Sequence, residues 1–266
     1  MSPGDTRISN RFAERQSEGR SALVPYVTCG FPSADSSVDV LSAIDEAGGD
    51  VLELGIPFSD PLADGPTIQA STHRALDAGM TVGRTLEVLA GFRAVSDTPV
   101  VLFSYVNPVL SYGLESFLKD AEEAGAQGLL LTDLPTGADP EVEDPILDSP
   151  LDLIHLIAPT TRPDRVSTVA ESGQGFLYYI SRTGVTGTRE DLSDTFAAEV
   201  SALKSRVDLP LAVGFGISTP EQAALVAGVA DGVVVGSALI KALDSGGIDE
   251  ASRMLASLRR AMDVGR

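Results

Sequence analysis

The stretch VLELGIPFSDPLADGPTIQ, residues Val51 to Gln69, changes character twice. Val51 to Gly55 is a short apolar run with one acid inside it. A proline-rich loop carrying Asp60 and Asp64 follows, and Gly65-Pro66 then opens a helix, since proline is well placed at the first helical position. This is one strand–loop–helix unit. Side chains alternate along a strand, so Val51, Glu53 and Gly55 share one face while Leu52 and Leu54 share the other. An acid in an apolar strand is costly unless it is paired, hydrogen-bonded or used. No arginine stands at the neighbouring strand ends to pair with Glu53. Glu53 therefore reads as an inward-facing acid/base with a pKa raised above the ordinary glutamate value of about 4.3.

The same unit recurs in both directions from this stretch. Strands are expected at Ala22–Thr28, Asp50–Leu54, Pro99–Ser104, Gln127–Thr132, Leu151–Ala158, Gly175–Ser181, Pro210–Gly214 and Asp231–Gly236. Helices are expected between them, at Ser33–Ala47, Pro66–Gly79, Thr81–Val95, Leu114–Ala124, Pro163–Ser172, Leu192–Arg206 and Thr219–Ala227. Asp139–Leu147 reads as a weak, acidic helix. A short helix at Ile8–Glu18 precedes the first strand, and Ala238–Leu243 with Asp249–Met262 ends the chain. Most of the strands are near-continuous apolar runs, as parallel strands covered on both faces must be. The alternation and the 266 residues fit a single (β/α)8 TIM barrel domain over 1–266 with a short N-terminal helix. A doubly wound sheet is the competing architecture, but no GxGxxG turn follows the first strand.

A formal charge of −19 makes nucleic acid and anionic membranes poor partners. Of the 19 basic residues only Lys119, Lys204 and Lys241 are lysines. An acidic, lysine-poor surface points to a halophilic setting in which cations screen self-repulsion. Cys29 is the single cysteine, so neither an internal disulfide nor a thiolate metal site is expected. The N-terminal MSPGDTRISNRFAERQ lacks the apolar core of a signal peptide, and the expected location is the cytoplasm.

In such a barrel the chemistry sits at the C-terminal ends of the strands. Three glycine-rich strand ends, GVTG at 184–187, GFGIS at 214–218 and GS at 236–237, offer backbone N–H groups to an anion. Loops after the last barrel strands are a recurrent phosphate site. Tyr26, Phe103, Tyr105, Tyr178 and Phe215 lie at or near strand ends and suit a flat apolar group beside the phosphate. Loop aspartates are commonly caps or turn formers, but the dense, rigid loop directly after an inward acid favours a functional role for Asp64, paired with Glu53, while Asp60 could equally be an interaction residue. All three lysines fall in helical segments, which removes a Schiff-base aldolase. His73 and His155 have no partner histidine, which leaves no zinc-ligand spacing and no metal site.

The motif ELGIPFSDPLADGPTIQ, followed through the chain by VPYVTCGFP, FSYVNPV, LLLTDLP, IHLIAPTT, YYISRTGVTG, GFGIS and GSALIK, resembles the tryptophan synthase alpha chain family. The resemblance covers nearly the whole chain; Cys29 and Phe31 vary one loop near the first strand. It implies a lyase of tryptophan biosynthesis that splits indole-3-glycerol phosphate into indole and glyceraldehyde 3-phosphate. By motif it gives Glu53 and Asp64 the catalytic positions and Tyr178 that of an active-site tyrosine. It gives Thr186 and Gly187 a loop closing over substrate, Gly216, Gly236 and Ser237 the phosphate contacts, and Phe215 and Tyr105 the indole pocket. Asp60 and Asn107 then belong to loops facing a partner beta chain in an α2β2 heterotetramer. Pyridoxal phosphate is expected in that beta chain and no cofactor in this one. A strand-end lysine, required by indole-3-glycerol phosphate synthase, is missing. A non-catalytic barrel that binds a phosphate ligand or regulates a beta chain stands as the alternative.

Overall fold

A computed structural model describes residues 6–180, 189–214 and 216–264, with 189–195 described by backbone alone. The strands are β1 (Ala22–Thr28), β2 (Leu52–Gly55), β3 (Val100–Ser104), β4 (Gly128–Leu131), β5 (Asp152–Leu153), β6 (His155–Ile157), β7 (Leu177–Ile180), β8 (Leu211–Gly214) and β9 (Gly232–Val235). They form one sheet in the order β5-β4-β3-β2-β1-β9-β8-β7-β6, and all pairs are parallel. The two ends of that order, β5 and β6, are consecutive in the chain and separated by Ile154 alone. Closure through this one stave makes a barrel and removes the doubly wound alternative. The expected strand Leu151–Ala158 is thus present in two pieces. Barrel strands are staggered, so a stave meets its two neighbours at different heights. Here Asp152 and Leu153 pair with β4, while His155 to Ile157 pair with β7.

The helices are α1 (Arg7–Ser17), α2 (Ser37–Glu46), α3 (Pro66–Asp77), α4 (Val82–Arg93), α5 (Val106–Tyr112), α6 (Leu114–Glu123), α7 (Pro140–Leu147), α8 (Pro163–Ser172), α9 (Arg189–Lys204), α10 (Pro220–Ala227) and α11 (Ser237–Val264). None among the described residues is long and apolar enough to cross a membrane. The acidic segment does form its helix. Asp139 caps α7 by accepting from the Glu141 backbone N–H at 3.1 Å, and Val142 and Ile146 are its buried face. Glu141 and Glu143 in the first turn suit the positive end of the helix. The last helix carries the expected break, a non-helical Gly247 at φ 66° and ψ −160°. Helix α5 was not expected from the sequence. Its Pro108 lies in the first turn, where proline is tolerated because no N–H is needed. Asp133 Oδ1 accepts the Val106 N–H at 2.8 Å and so steadies that turn.

Inside the barrel the strand alternation builds a layer from Val24, Val51, Val101, Leu130, Ile154, Phe176, Ala212 and Val234. Helix α1 closes the bottom by inserting Ile8 and Phe12 beneath this layer. Phe12 packs on Phe176 with ring centroids 5.2 Å apart. The space it needs is left by Gly232, where a Cβ would lie 2.8 Å from the Phe12 ring. Phe12 is 3 % exposed, so Phe12→Ala is expected to cost about 3–5 kcal/mol of stability in urea unfolding. A loss under about 1 kcal/mol would mean that the bottom of the barrel is not a packed plug.

Candidate active site

Two residues above each member of that apolar layer, on the same inward face, stand Tyr26, Glu53, Phe103, Thr132, Leu156, Tyr178, Gly214 and Gly236. Glu53 therefore sits directly on an apolar floor. It is 1 % exposed, and its Oε1 has no hydrogen-bond partner among the described residues. Loss of water is the sole cause of its shift, and the carboxyl is pushed up to about 8. At neutral pH Glu53 is accordingly an acid that still holds its proton.

Tyr26 is the β1 register partner of Glu53, and its ring stands edge-on to Phe103 at 5.1 Å. Tyr178 comes from β7 and leans over β8, where a Cβ on Gly214 would lie 2.5 Å from its hydroxyl. The Tyr26 hydroxyl likewise occupies the space that a Cβ on Gly55 would need. Both phenols are raised well above their ordinary value, by burial first and then by the neighbouring Glu53 and Asp64. Two tyrosines and two carboxyls thus share one electrostatic environment at the barrel mouth.

Asp64 reaches this mouth from the loop after β2. It is half-buried, and its carboxyl is pushed up to about 6 by burial, partly offset by a hydrogen bond with Tyr105. Tyr105 also accepts the Ala63 N–H at 2.9 Å, so one phenol fixes the loop on either side of the Ala63–Asp64 peptide bond. Gln69 does the same from α3, donating from Nε2 to the Asp64 carbonyl at 2.9 Å and to the Pro61 carbonyl at 3.3 Å. Neither Gln69 nor Thr132 stood out in the sequence. Gln69 ends the motif that holds both acids, and that position was the available signal.

Asp60 behaves differently. It is exposed, accepts from Ser59 Oγ at 2.5 Å, and lines a cleft of about 760 Å³ to which Glu53 does not contribute. Asn107, Asp133 and Pro135 line the same cleft, and Leu62 beside Asp60 is 89 % exposed. The two aspartates of the loop are therefore separated in space: Asp64 inward, Asp60 outward.

The last two strand ends lie side by side, because Gly214 pairs with Val234. Gly216 follows β8 at φ 74°, and among the described residues no atom lies within 4 Å of the Cβ it lacks. Gly236 and Ser237 lead into the N-terminus of α11, and a Cβ on Gly236 would touch the Tyr26 side chain at 3.6 Å. Two glycine-lined strand ends, one heading a helix, thus adjoin the aromatic wall in the arrangement that suits an anion. The two histidines stand outside it. His73 is exposed on α3 near the Ser59 carbonyl. His155 is buried behind the barrel against Ser172, and burial followed by Arg165 holds it down at about 4.

A family model described as tryptophan synthase alpha chain matches residues 12–263. The chain belongs to the tryptophan synthase alpha chain family. The alpha chain of Citrifermentans bemidjiense is 49% identical over 236 residues, covering 89% of this chain and 88% of that one. That of Gluconacetobacter diazotrophicus is 46% identical over 261 residues, covering 95% of each. Among solved structures, the alpha subunit from Legionella pneumophila superposes with a TM-score of 0.87 at 37% identity, over 97% of this chain and 98% of that one. Tryptophan synthase from M. tuberculosis matches with the same TM-score of 0.87 at 33% identity, over 97% and 99%. Within this alpha chain, Thr186, Gly187 and Phe215 lie outside the described residues. The remaining site residues, Glu53, Asp64, Tyr26, Phe103, Tyr105, Tyr178, Gly216, Gly236 and Ser237, gather at the C-terminal mouth of the barrel.

Proposed function

We propose that Glu53 and Asp64 carry the acid–base chemistry of this alpha chain. The chain is a lyase of tryptophan biosynthesis, cleaving indole-3-glycerol phosphate to indole and glyceraldehyde 3-phosphate. A carbanion at indole carbon 3 is a poor leaving group, so that carbon is protonated before the carbon–carbon bond breaks. Glu53, raised to about 8, delivers the proton. The ring nitrogen then carries positive charge, which ionised Asp64 stabilises. The Glu53 carboxylate next removes the proton of the glycerol hydroxyl on the adjoining carbon. A carbonyl forms there, the bonding electrons return to the ring as indole, and Glu53 has recovered its proton. Tyr26, Phe103, Tyr105 and Tyr178 wall the indole, while Gly216, Gly236 and Ser237 hold the phosphate; the family motifs add Phe215 to the indole contacts and Thr186 and Gly187 to the substrate contacts.

One observation supports this reading above the rest: Glu53 is buried, its carboxyl is pushed up to about 8, and its Oε1 has no hydrogen-bond partner among the described residues, on the inward face of the strand that leads into the Asp64 loop. A barrel that only binds a phosphate ligand has no need to keep a carboxyl in that state. The test is indole release by the purified chain, alone and with a beta chain, at high and low salt. Release in either setting supports the reading, and none in all four overturns it.

The partner is a tryptophan synthase beta chain, and we place it on the cleft beside Asp60 and Asn107 in an α2β2 heterotetramer. Pyridoxal phosphate belongs to that beta chain. Both chains would work in the cytoplasm. The charge of −19 further calls for a salt-rich setting. Exposed charges repel over ~10 Å at 0.1 M salt but only ~3 Å at 1 M. The melting temperature is therefore expected to rise between those concentrations of potassium chloride. Equal melting at both would remove the halophilic assignment.

A further inference from the structure

A chain of three buried hydroxyls runs from the active site into the helix behind it, and the mechanism above makes no use of two of them. Tyr26 Oη lies 3.4 Å from Thr28 Oγ1, and Thr28 Oγ1 lies 2.7 Å from Ser71 Oγ. Ser71 donates to the Ile68 carbonyl at 2.8 Å, within α3. Each hydroxyl has a single proton. The Ser71 proton is spent on a carbonyl, which can only accept, so Thr28 must donate to Ser71. The Thr28 proton is then committed as well, so in the 3.4 Å contact between Tyr26 and Thr28 the phenol is the donor. The carbonyl at the far end therefore orients the whole chain, and the phenol proton is committed to Thr28 rather than to its strand neighbour Glu53. Thr28 and Ser71 are 2 % and 1 % exposed, so water does not compete for these protons.

We propose that Thr28 and Ser71 are positioning residues for the reaction: through Tyr26 they withhold a hydrogen-bond donor from the Glu53 carboxyl and so keep it a proton carrier. This rests on the assignment of Glu53 as the acid/base. A phenol donating to Glu53 would stabilise its carboxylate and lower its proton affinity. The unpartnered Oε1 of Glu53 is the counterpart of that arrangement. Among the described residues the other titratable groups near Glu53 are Tyr178 from β7 and Asp64 from the loop, and neither of these supplies a positive charge. The chain also ties β1 to α3, the helix that begins directly after the Asp64 loop.

The test is a direct carbon-13 NMR titration of the Glu53 carboxyl in glutamate-labelled protein, with the signal identified by its loss in Glu53→Gln. Thr28→Val leaves Tyr26 without an acceptor and is expected to lower the Glu53 midpoint by about one unit, while Thr28→Ser restores it. Ser71→Ala strands the Thr28 proton and shifts the midpoint the same way, which keeps the test open should Thr28→Val not fold. In a Tyr26→Phe background neither substitution should move the midpoint further. An unmoved midpoint in Thr28→Val or Ser71→Ala, or a shift that persists without the Tyr26 hydroxyl, overturns the proposal. The titration needs no turnover. Failure of the catalytic assignment, which Glu53→Gln kinetics report, is therefore distinguishable from failure of the hydroxyl chain.

Discussion

Glu53→Gln is expected to lower indole release by at least ~10²–10⁴-fold, the usual contribution of a positioned general acid–base. Glutamine matches the shape of the protonated carboxyl and can occupy the same buried slot. It cannot give a proton to indole carbon 3 or take one from the glycerol hydroxyl, so both half-steps lose their proton carrier. Substrate binding rests on the aromatic wall and the glycine-lined phosphate site, so KM should change far less than kcat. Steady-state kinetics at saturating substrate make the comparison, and near-normal turnover would sink the assignment of Glu53.

The same substitution should act on stability in the opposite sense. The Glu53 carboxyl is raised to about 8 in the folded chain, from an ordinary value near 4.5. Between those values the folded state holds a proton that the unfolded state releases, so this position loses stability as pH rises through the window. Glutamine does not titrate. The variant and the parent should melt alike near pH 5, and the variant should be the more stable near pH 9. A group whose removal costs activity and gains stability is held in place by function, since a packed apolar residue would serve the barrel better.

How legible this was in the sequence depends on the length scale of each interaction. Strand β1 is found at the predicted Ala22–Thr28, because an unbroken apolar run bounded by Ser21 and Cys29-Gly30 states its own limits. Glu53 was legible for the same local reason: one acid in an apolar run with no arginine nearby. The strand through His155 was read whole, and only the stagger of its neighbours, a property of the closed barrel, divides it at Ile154. Helix α5 was missed because its steadying partner, Asp133, lies 27 residues away in sequence. As loop residues Asp60 and Asp64 look alike; the dense loop after an inward acid favours Asp64, and the family resemblance moves Asp60 to the partner-facing side. In space the difference is plain: Tyr105, just after β3, accepts the Ala63 N–H and bonds the Asp64 carboxyl, while Asp60 is exposed and accepts from the adjoining Ser59. The Tyr26–Thr28–Ser71 chain joins a strand to a helix 43 residues on, and no local pattern could announce it.

Asp64→Asn is expected to lower kcat by about 10²–10³-fold, the usual effect of removing one preorganised group aimed at developing charge. Asparagine keeps the size and the hydrogen bond with Tyr105 but loses the negative charge. That charge matters only once carbon 3 has been protonated and the ring nitrogen becomes positive, so the loss falls on the transition state and KM should move little. The pH profile separates this role from a structural one. Asp64 must be ionised, which requires a pH above about 6, and Glu53 must hold its proton, which requires a pH below about 8. The parent chain should therefore show a bell-shaped kcat/KM profile with its maximum between those values, since kcat/KM reports the groups of the free enzyme. In Asp64→Asn the acid limb should vanish, since nothing remains to titrate there, while the alkaline limb set by Glu53 stays. An acid limb that survives the substitution would assign it to another group and leave Asp64 as a loop anchor. Loss of the alkaline limb instead would mean that the two carboxyls have exchanged roles.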